Sequence, residues 1–256
     1  NMHIIFATNK GKIRKNNLED FSSINASGKI AMKLDSDDKI VGVKICTDDQ
    51  DIMLNTKFGK CIRFESKKLR VFKGRSSKGI RGINLSEKDT IVSLSIIDKD
   101  DIKKSKSKTK DEKSEVKAKE KFILSITENG YGKRTSVREY RKAGRGGQGV
   151  ANIETSARNG LVVASFTVFA EDQLMLVTDA GKVIRIRVDG GEGDVIRIAG
   201  RKTQGVRLFE VDGEEKVVSV GVIRDADDGH DTEDNETSGE PQNSETDGFS
   251  GEQTTE

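Results

Sequence analysis

The chain has 256 residues, of which 34% are charged and 5% aromatic, with one proline and no tryptophan. That length holds one large domain or two small ones, and no run of 18 apolar residues is present to span a membrane as a helix. A formal net charge of +2 conceals an asymmetry: 12 of the 43 acidic residues and none of the 45 Lys and Arg lie in 225–256, leaving 1–224 at +14. A basic body with an acidic tail is the pattern.

The opening Asn1-Met2-His3-Ile4-Ile5-Phe6 lacks the basic flank and apolar length of a signal peptide. Cys46 and Cys61 fit no C-x-x-C pattern, so they read as reduced thiols of a cytoplasmic protein. From residue 4 onward the chain repeats itself. Segments 4–15, 52–64, 122–135 and 174–188 each run from an apolar strand through a polar turn to a strand carrying basic residues. The turns are Asn9-Lys10-Gly11, Lys57-Phe58-Gly59, Glu128-Asn129-Gly130 and Asp179-Ala180-Gly181. Glycine accepts a positive φ, so each turn predicts a hairpin.

After each hairpin a second glycine, Gly28, Gly79, Gly149 or Gly205, opens an extended stretch that leads to a β-branched run centred on Val41, Val92, Val163 or Val218. The gap from that glycine to that valine is 13, 13, 14 and 13 residues. The hairpin glycines lie 48, 71 and 51 residues apart, and the long middle gap holds a Lys-rich insertion, 98–121. One repeat is therefore about fifty residues and four strands, which predicts an all-β, propeller-like array of about four four-stranded blades over 1–224. The short, β-branched apolar runs disfavour helical solenoids. The segment 225–256, poor in apolar residues, reads as a disordered acidic tail.

Charge follows the repeat. Four residues beyond the hairpin glycines stand Lys15, Arg63, Arg134 and Arg185, with Lys12, Arg14, Lys60, Lys133, Lys182 and Arg187 beside them. Side chains alternate between strand faces, so a basic residue at one place in every repeat predicts a positive stripe around the array. The same pattern also fits basic residues that blunt exposed strand edges. The second glycine marker is flanked by Arg75, Lys78, Arg81, Arg141, Lys142, Arg145, Arg201 and Lys202. Glycine admits a phosphate close to the backbone and the cations neutralise it. With few aromatics for base stacking and no base-reading helix, the expected ligand is duplex backbone, bound without sequence preference.

Three stretches, Asn129-Gly130-Tyr131-Gly132-Lys133-Arg134-Thr135-Ser136-Val137, Val177-Thr178-Asp179-Ala180-Gly181 and Gly200-Arg201-Lys202-Thr203-Gln204-Gly205-Val206-Arg207-Leu208, resemble the C-terminal domain of DNA gyrase A. So do Gly28-Lys29-Ile30-Ala31-Met32-Lys33-Leu34 and Gly79-Ile80-Arg81-Gly82-Ile83-Asn84-Leu85. The resemblance implies a β-pinwheel whose blades exchange strands and whose basic rim bends and wraps double-stranded DNA, with an acidic tail that modulates wrapping. It also implies as partners the rest of DNA gyrase A and the ATPase DNA gyrase B, in a cytoplasmic, nucleoid-associated enzyme. Such discs have six blades, so four repeats read as a fragment matching the last four. The family's box, Gln-Arg-Arg-Gly-Gly-Lys-Gly, belongs to a first blade. Its nearest match here, Ala143-Gly144-Arg145-Gly146-Gly147-Gln148-Gly149, shares four of seven positions and reads as a degenerate echo in a later blade.

Catalysis finds no support in this chain. Its histidines are His3 and His230 alone, which argues against a metal site or a His-based triad. Tyr131 and Tyr140 suit packing or phosphate contact, the cleaving tyrosine of the resembled family lying in another domain. No G-x-x-x-x-G-K-[ST] loop is present, so no nucleotide or other cofactor is expected. The alternatives are a propeller-type platform for an acidic protein and the equivalent domain of topoisomerase IV.

Overall fold

Each repeat opens with a hairpin closed by a Thr-x-x-Gly turn. In the computed structural model, which describes residues 2–23, 25–99, 120–189 and 196–224, the amides of Gly11, Gly59, Gly130 and Gly181 donate to the carbonyls of Thr8, Thr56, Thr127 and Thr178 at 3.0–3.1 Å. These glycines have φ of +74° to +82°, a region that a β-carbon disfavours. The threonines are buried, and Thr8, Thr56 and Thr178 accept through Oγ1 the amide of the residue after the turn glycine.

The strands in chain order are β1 His3–Thr8, β2 Lys12–Asn17, β3 Ile40–Cys46, β4 Asp51–Thr56, β5 Lys60–Glu65, β6 Ile80–Arg81, β7 Ile91–Ile97 and β8 Phe122–Thr127. They continue as β9 Tyr131–Ser136, β10 Val150–Ala151, β11 Val162–Val168, β12 Gln173–Thr178, β13 Val183–Arg187, β14 Val206–Arg207 and β15 Val217–Ile223. Pairing is antiparallel, in the orders β3-β1-β2-β6, β7-β4-β5-β10, β11-β8-β9-β14 and β15-β12-β13. The blades exchange strands: β6, β10 and β14 each belong by sequence to one repeat and pair with the hairpin of the repeat before. The expected fourth strand is therefore borrowed, and the fourth sheet has three strands among the described residues.

The innermost strands β3, β7, β11 and β15 pack on one another in series, which puts β6, β10 and β14 on the outer rim. The apolar core sits between neighbouring blades. Ile5 and Ile13 meet Ile52, Leu54 and Leu94; Met53 meets Ile123 and Tyr140; Leu124 and Ile126 meet Leu174, Leu176 and Val217. Each such aliphatic side chain contributes about 1.5–3 kcal/mol by leaving water, so each blade is stabilised by its neighbours. Most of the Lys-rich insertion, 100–119, and the tail, 225–256, lie outside the described residues, as do the expectations placed on them.

Candidate nucleic-acid interface

The expected stripe four residues beyond the hairpin glycines does not face solvent in three of four blades. Lys15, Arg63 and Arg134 are 1–4% exposed. The next repeat runs alongside them, the amides of Phe72, Ala143 and Ala199 donating to the carbonyls of Lys15, Arg63 and Arg134 at 2.8–2.9 Å. Their side chains then serve buried main-chain oxygens of that repeat. Lys15 Nζ donates to Ser66 O at 2.9 Å, Arg63 Nη1 to Val137 O and Tyr140 O at 3.2 and 2.9 Å, and Arg134 Nε to Ile196 O at 2.7 Å. Asp48, Asp51 and Asp189 neutralise them at 2.7, 2.7 and 3.4 Å. A carbonyl shut away from water needs a donor, and that need accounts for the periodicity. Arg185 is the exception: it is exposed and bonds Gln173 Oε1 at 2.8 Å.

One residue earlier the same correction holds for Arg14 and Lys133, both fully buried. Arg14 donates to Gly74 O and, at 2.6 Å, to Ser77 O; Lys133 donates to Gly200 O and, at 3.1 Å, to Arg201 O. Burial pushes the Lys133 ammonium down to about 8. Ile62 holds the corresponding place in the second blade.

The loops before the borrowed strands share a pattern that sequence reading missed: Gly74-Arg75-Ser76-Ser77-Lys78-Gly79, Gly144-Arg145-Gly146-Gly147-Gln148-Gly149 and Gly200-Arg201-Lys202-Thr203-Gln204-Gly205. Each arginine ties its loop to the preceding repeat, two residues past that repeat's marker glycine. Arg75 donates to Ile30 O at 3.1 Å, Arg145 to Arg81 O, and Arg201 to Ala151 O at 2.8 Å. The box-like loop is further pinned by Gly146 N to Gly82 O at 2.8 Å and Asn84 N to Gly147 O at 2.9 Å, with Gln148 exposed.

Several remaining candidates are exposed or half-buried but paired. Lys12 meets Asp35 and, at 3.5 Å, Asp38; Lys78 meets Asp35; Lys142 meets Asp51 at 3.1 Å; Lys182 meets Asp212 at 2.5 Å and Glu215 at 3.0 Å. The hydrogen bond from Lys12, then that from Lys78, draws the Asp35 carboxyl down to about 2. Lys60, Arg81, Arg141, Arg187 and Lys202 have no carboxylate partner among the described residues. Two arginines absent from the expected set join them: Arg70 and Arg197. With Arg141 they stand two residues before the amides of Phe72, Ala143 and Ala199 that bond the preceding blade, and all three are exposed. One such arginine therefore marks every blade junction on the rim. Arg70 leans on a ring, its guanidinium 4.2 Å from the centroid of Phe72.

The tyrosines differ. Tyr140 is buried, its hydroxyl donating to Asn152 Oδ1 at 2.5 Å. Tyr131 lies between Arg158 and Arg207, whose guanidiniums donate to its hydroxyl at 3.2 and 3.3 Å and hold its pKa below the usual phenol value. Among the described residues no three His, Cys, Asp or Glu gather as a metal site, and no helix is long and apolar enough to cross a membrane.

The family model for the DNA gyrase C-terminal domain, a beta-propeller, matches residues 3–47, 50–98, 121–168 and 172–224, one match per blade. DNA gyrase A of Rickettsia felis is 41% identical over 251 residues, covering 87% of this chain and 27% of that protein. The same protein of Staphylococcus epidermidis is 38% identical over 226 residues, covering 88% and 23%. The chain thus spans about a quarter of the length of these relatives. Two solved structures share the fold: a DNA gyrase A C-terminal domain (TM-score 0.68, 24% identity, 87% of this chain and 66% of that one) and the C-terminal domain of a DNA topoisomerase IV (0.71, 24%, 87% and 62%).

Proposed function

This chain belongs to the DNA gyrase C-terminal domain family, and from that membership and its rim we propose that it holds and bends double-stranded DNA for a type II topoisomerase. The observation that carries the reading is the exposed arginine at each blade junction, Arg70, Arg141 and Arg197, on a body of +14. Regularly spaced guanidiniums on a convex edge suit a phosphate backbone that follows the edge. Each contact releases counterions and carries no base information, so binding is sequence-tolerant and salt-sensitive. Arg81, Arg187, Lys60 and Lys202 add charge on the same strands and loops. The buried cations hold the blades in register, which keeps the contacts at fixed spacing.

In this reading the remainder of DNA gyrase A and the ATPase DNA gyrase B complete a cytoplasmic, nucleoid-associated enzyme, and this chain supplies no catalytic group. The test is supercoil trapping. The chain is bound to relaxed closed circular DNA, a nicking-closing topoisomerase is added, the protein is stripped, and the topoisomers are resolved. A shifted distribution supports wrapping by these blades. An unshifted one alongside salt-insensitive binding overturns the proposal.

A further inference from the structure

One blade departs from the others in charge at the tip of its hairpin. The residue after the turn glycine is Lys12, Lys60 and Lys182 in the first, second and fourth blades and Tyr131 in the third. The turn that leads into the innermost strand packs at the same tip. The amides of Asn9, Lys57, Glu128 and Asp179 donate to the carbonyls of Lys39, Thr90, Leu161 and Lys216 just past it, at 2.8–2.9 Å. Three of these turns, 35–38, 86–89 and 212–215, carry two or three carboxylates each, whereas Ser156-Ala157-Arg158-Asn159-Gly160 carries an arginine and none. Lys12 and Lys182 are neutralised by their turns. In the third blade the turn offers a cation instead, and a second one, Arg207, faces Tyr131 across the β9–β14 pair.

Arg158 Nε and Arg207 Nη2 converge on the Tyr131 hydroxyl, and their guanidinium carbons lie 5.2 and 5.6 Å from its ring centroid. The hydroxyl accepts twice, and its own hydrogen has no acceptor among the described residues. Arg207 has one carboxylate near it, Glu210 at 3.1 Å, but both side chains are more than half exposed, and such a pair binds weakly. Glu215, on the wall of the same recess, is taken by Lys182 at 3.0 Å and by Thr178 Oγ1. The recess measures about 180 Å³, with Lys216 on its wall as a third cation. Its backbone is fixed. Asn129 Nδ2 donates to the carbonyls of Ala157 and Arg158 at 3.2 and 3.0 Å, and the buried Asn159 Nδ2 to those of Glu154 and Gln204 at 2.8 and 3.1 Å.

We propose that Tyr131, Arg158 and Arg207 form a seat for a single phosphate group. Two like charges drawn to one neutral oxygen repel each other, and a phosphate between them turns that repulsion into attraction. Each guanidinium presents paired N–H donors that match phosphate oxygens, and the Tyr131 hydroxyl adds a donor of its own. Arg207 lies on β14, one of the outer strands, so the seat adjoins the rim. On the reading that the rim holds DNA, the phosphate is one of the duplex backbone. The junction arginines each meet a phosphate in solvent, whereas this seat receives one between two cations and anchors the backbone at the third blade.

The test follows the Cζ carbon resonance of Tyr131 in the full chain, whose tyrosines are Tyr131 and Tyr140 alone. One arm adds a short duplex and the other adds inorganic phosphate at constant ionic strength. A saturable shift of Tyr131 is expected with the duplex, and Arg158→Gln and Arg207→Gln should each abolish it. Because both arginines serve one phosphate, the double variant should lower the slope of log K against log salt by about 0.9, where Arg70→Ala with Arg141→Ala should lower it by about 1.8. A shift with inorganic phosphate alone would support the seat and make a free phosphate its source. No shift with either probe, or a shift that survives both substitutions, would overturn the seat. If the duplex binds through Arg70, Arg141 and Arg197 while Tyr131 stays still with both probes, the seat falls and the rim reading stands. If the duplex does not bind at all, the rim reading falls and the phosphate arm still decides the seat.

Discussion

Arg63 decides whether the periodic cations are contacts with DNA or ties between blades. Its guanidinium meets Asp51 Oδ2 at 2.7 and 3.0 Å and the carbonyls of Val137 and Tyr140 at 3.2 and 2.9 Å, all buried. Arg63→Ala leaves Asp51, wholly inaccessible to solvent, facing Lys142 at 3.1 Å as its one cation among the described residues, and strips the donor from two carbonyls. Removing one partner of a buried pair costs about 3–5 kcal/mol. With a urea dependence of about 2 kcal/mol per molar, the midpoint should fall by about 2 M, followed by far-UV circular dichroism. Replacing both partners, Asp51→Leu with Arg63→Met, should recover the part of the loss that comes from the stranded carboxylate, while the Val137 and Tyr140 carbonyls stay without that donor. The reasoning fails if Arg63→Ala keeps its urea midpoint and instead lowers the salt slope of DNA binding.

The exposed arginines should behave in the opposite way. Arg70→Ala, Arg141→Ala and Arg197→Ala should each leave the urea midpoint unchanged and lower the slope of log K against log salt by about 0.9, additively, read by fluorescence anisotropy on a labelled duplex. The Lys133 ammonium should titrate near 8 by its Cε carbon resonance, against about 10.4 in an unfolded chain. The unfolded chain then binds the extra proton between those values, so stability should rise from about pH 8 to about pH 10.4, and Lys133→Met should abolish that rise. Gly59→Ala, which strains a positive φ and strikes the Ile153 carbonyl, should lower the urea midpoint roughly twice as far as Gly181→Ala, which only strains φ. Equal losses would mean that the borrowed strand adds no stability. Deleting 225–256, with 12 acidic residues and no Lys or Arg, should tighten DNA binding at low salt, where a tethered polyanion competes best; unchanged affinity would remove the tail from the mechanism.

The repeat and its class were legible because hairpins are local. A Thr-x-x-Gly turn and two β-branched runs are set within about fifteen residues, so Gly11, Gly59, Gly130 and Gly181 could be read one at a time. Strand exchange is not local. Nothing between Gly79 and Leu85 shows that Ile80 pairs with Ile13 rather than with its own repeat; the family resemblance implied it, and the carbonyls lying over the marker glycines display it. The Gly-Arg-x-x-x-Gly straps were visible as text, yet their arginines bond main-chain oxygens, and an oxygen that every residue carries leaves no mark in a sequence.

The same reasoning explains why the charges divide as they do. A residue fixed at one place in every repeat is fixed relative to the neighbouring repeat, so strict periodicity selects for contacts between repeats. Lys15, Arg63 and Arg134 keep their place because each serves a carbonyl of the next repeat, six residues before the amide that bonds the preceding blade for Lys15 and Arg63 and three before it for Arg63 and Arg134. Binding a phosphate chain demands charge at the rim but tolerates displacement along a strand, so Arg81, Arg187 and Lys202 need no common register. Arg70, Arg141 and Arg197 satisfy both conditions, since a backbone bond to the preceding blade sets their position while the side chain stays in solvent. Their spacing is therefore inherited from the blade junction. Stranding Asp51 by removing Arg63 would blur it in the middle of the array before any rim charge was touched.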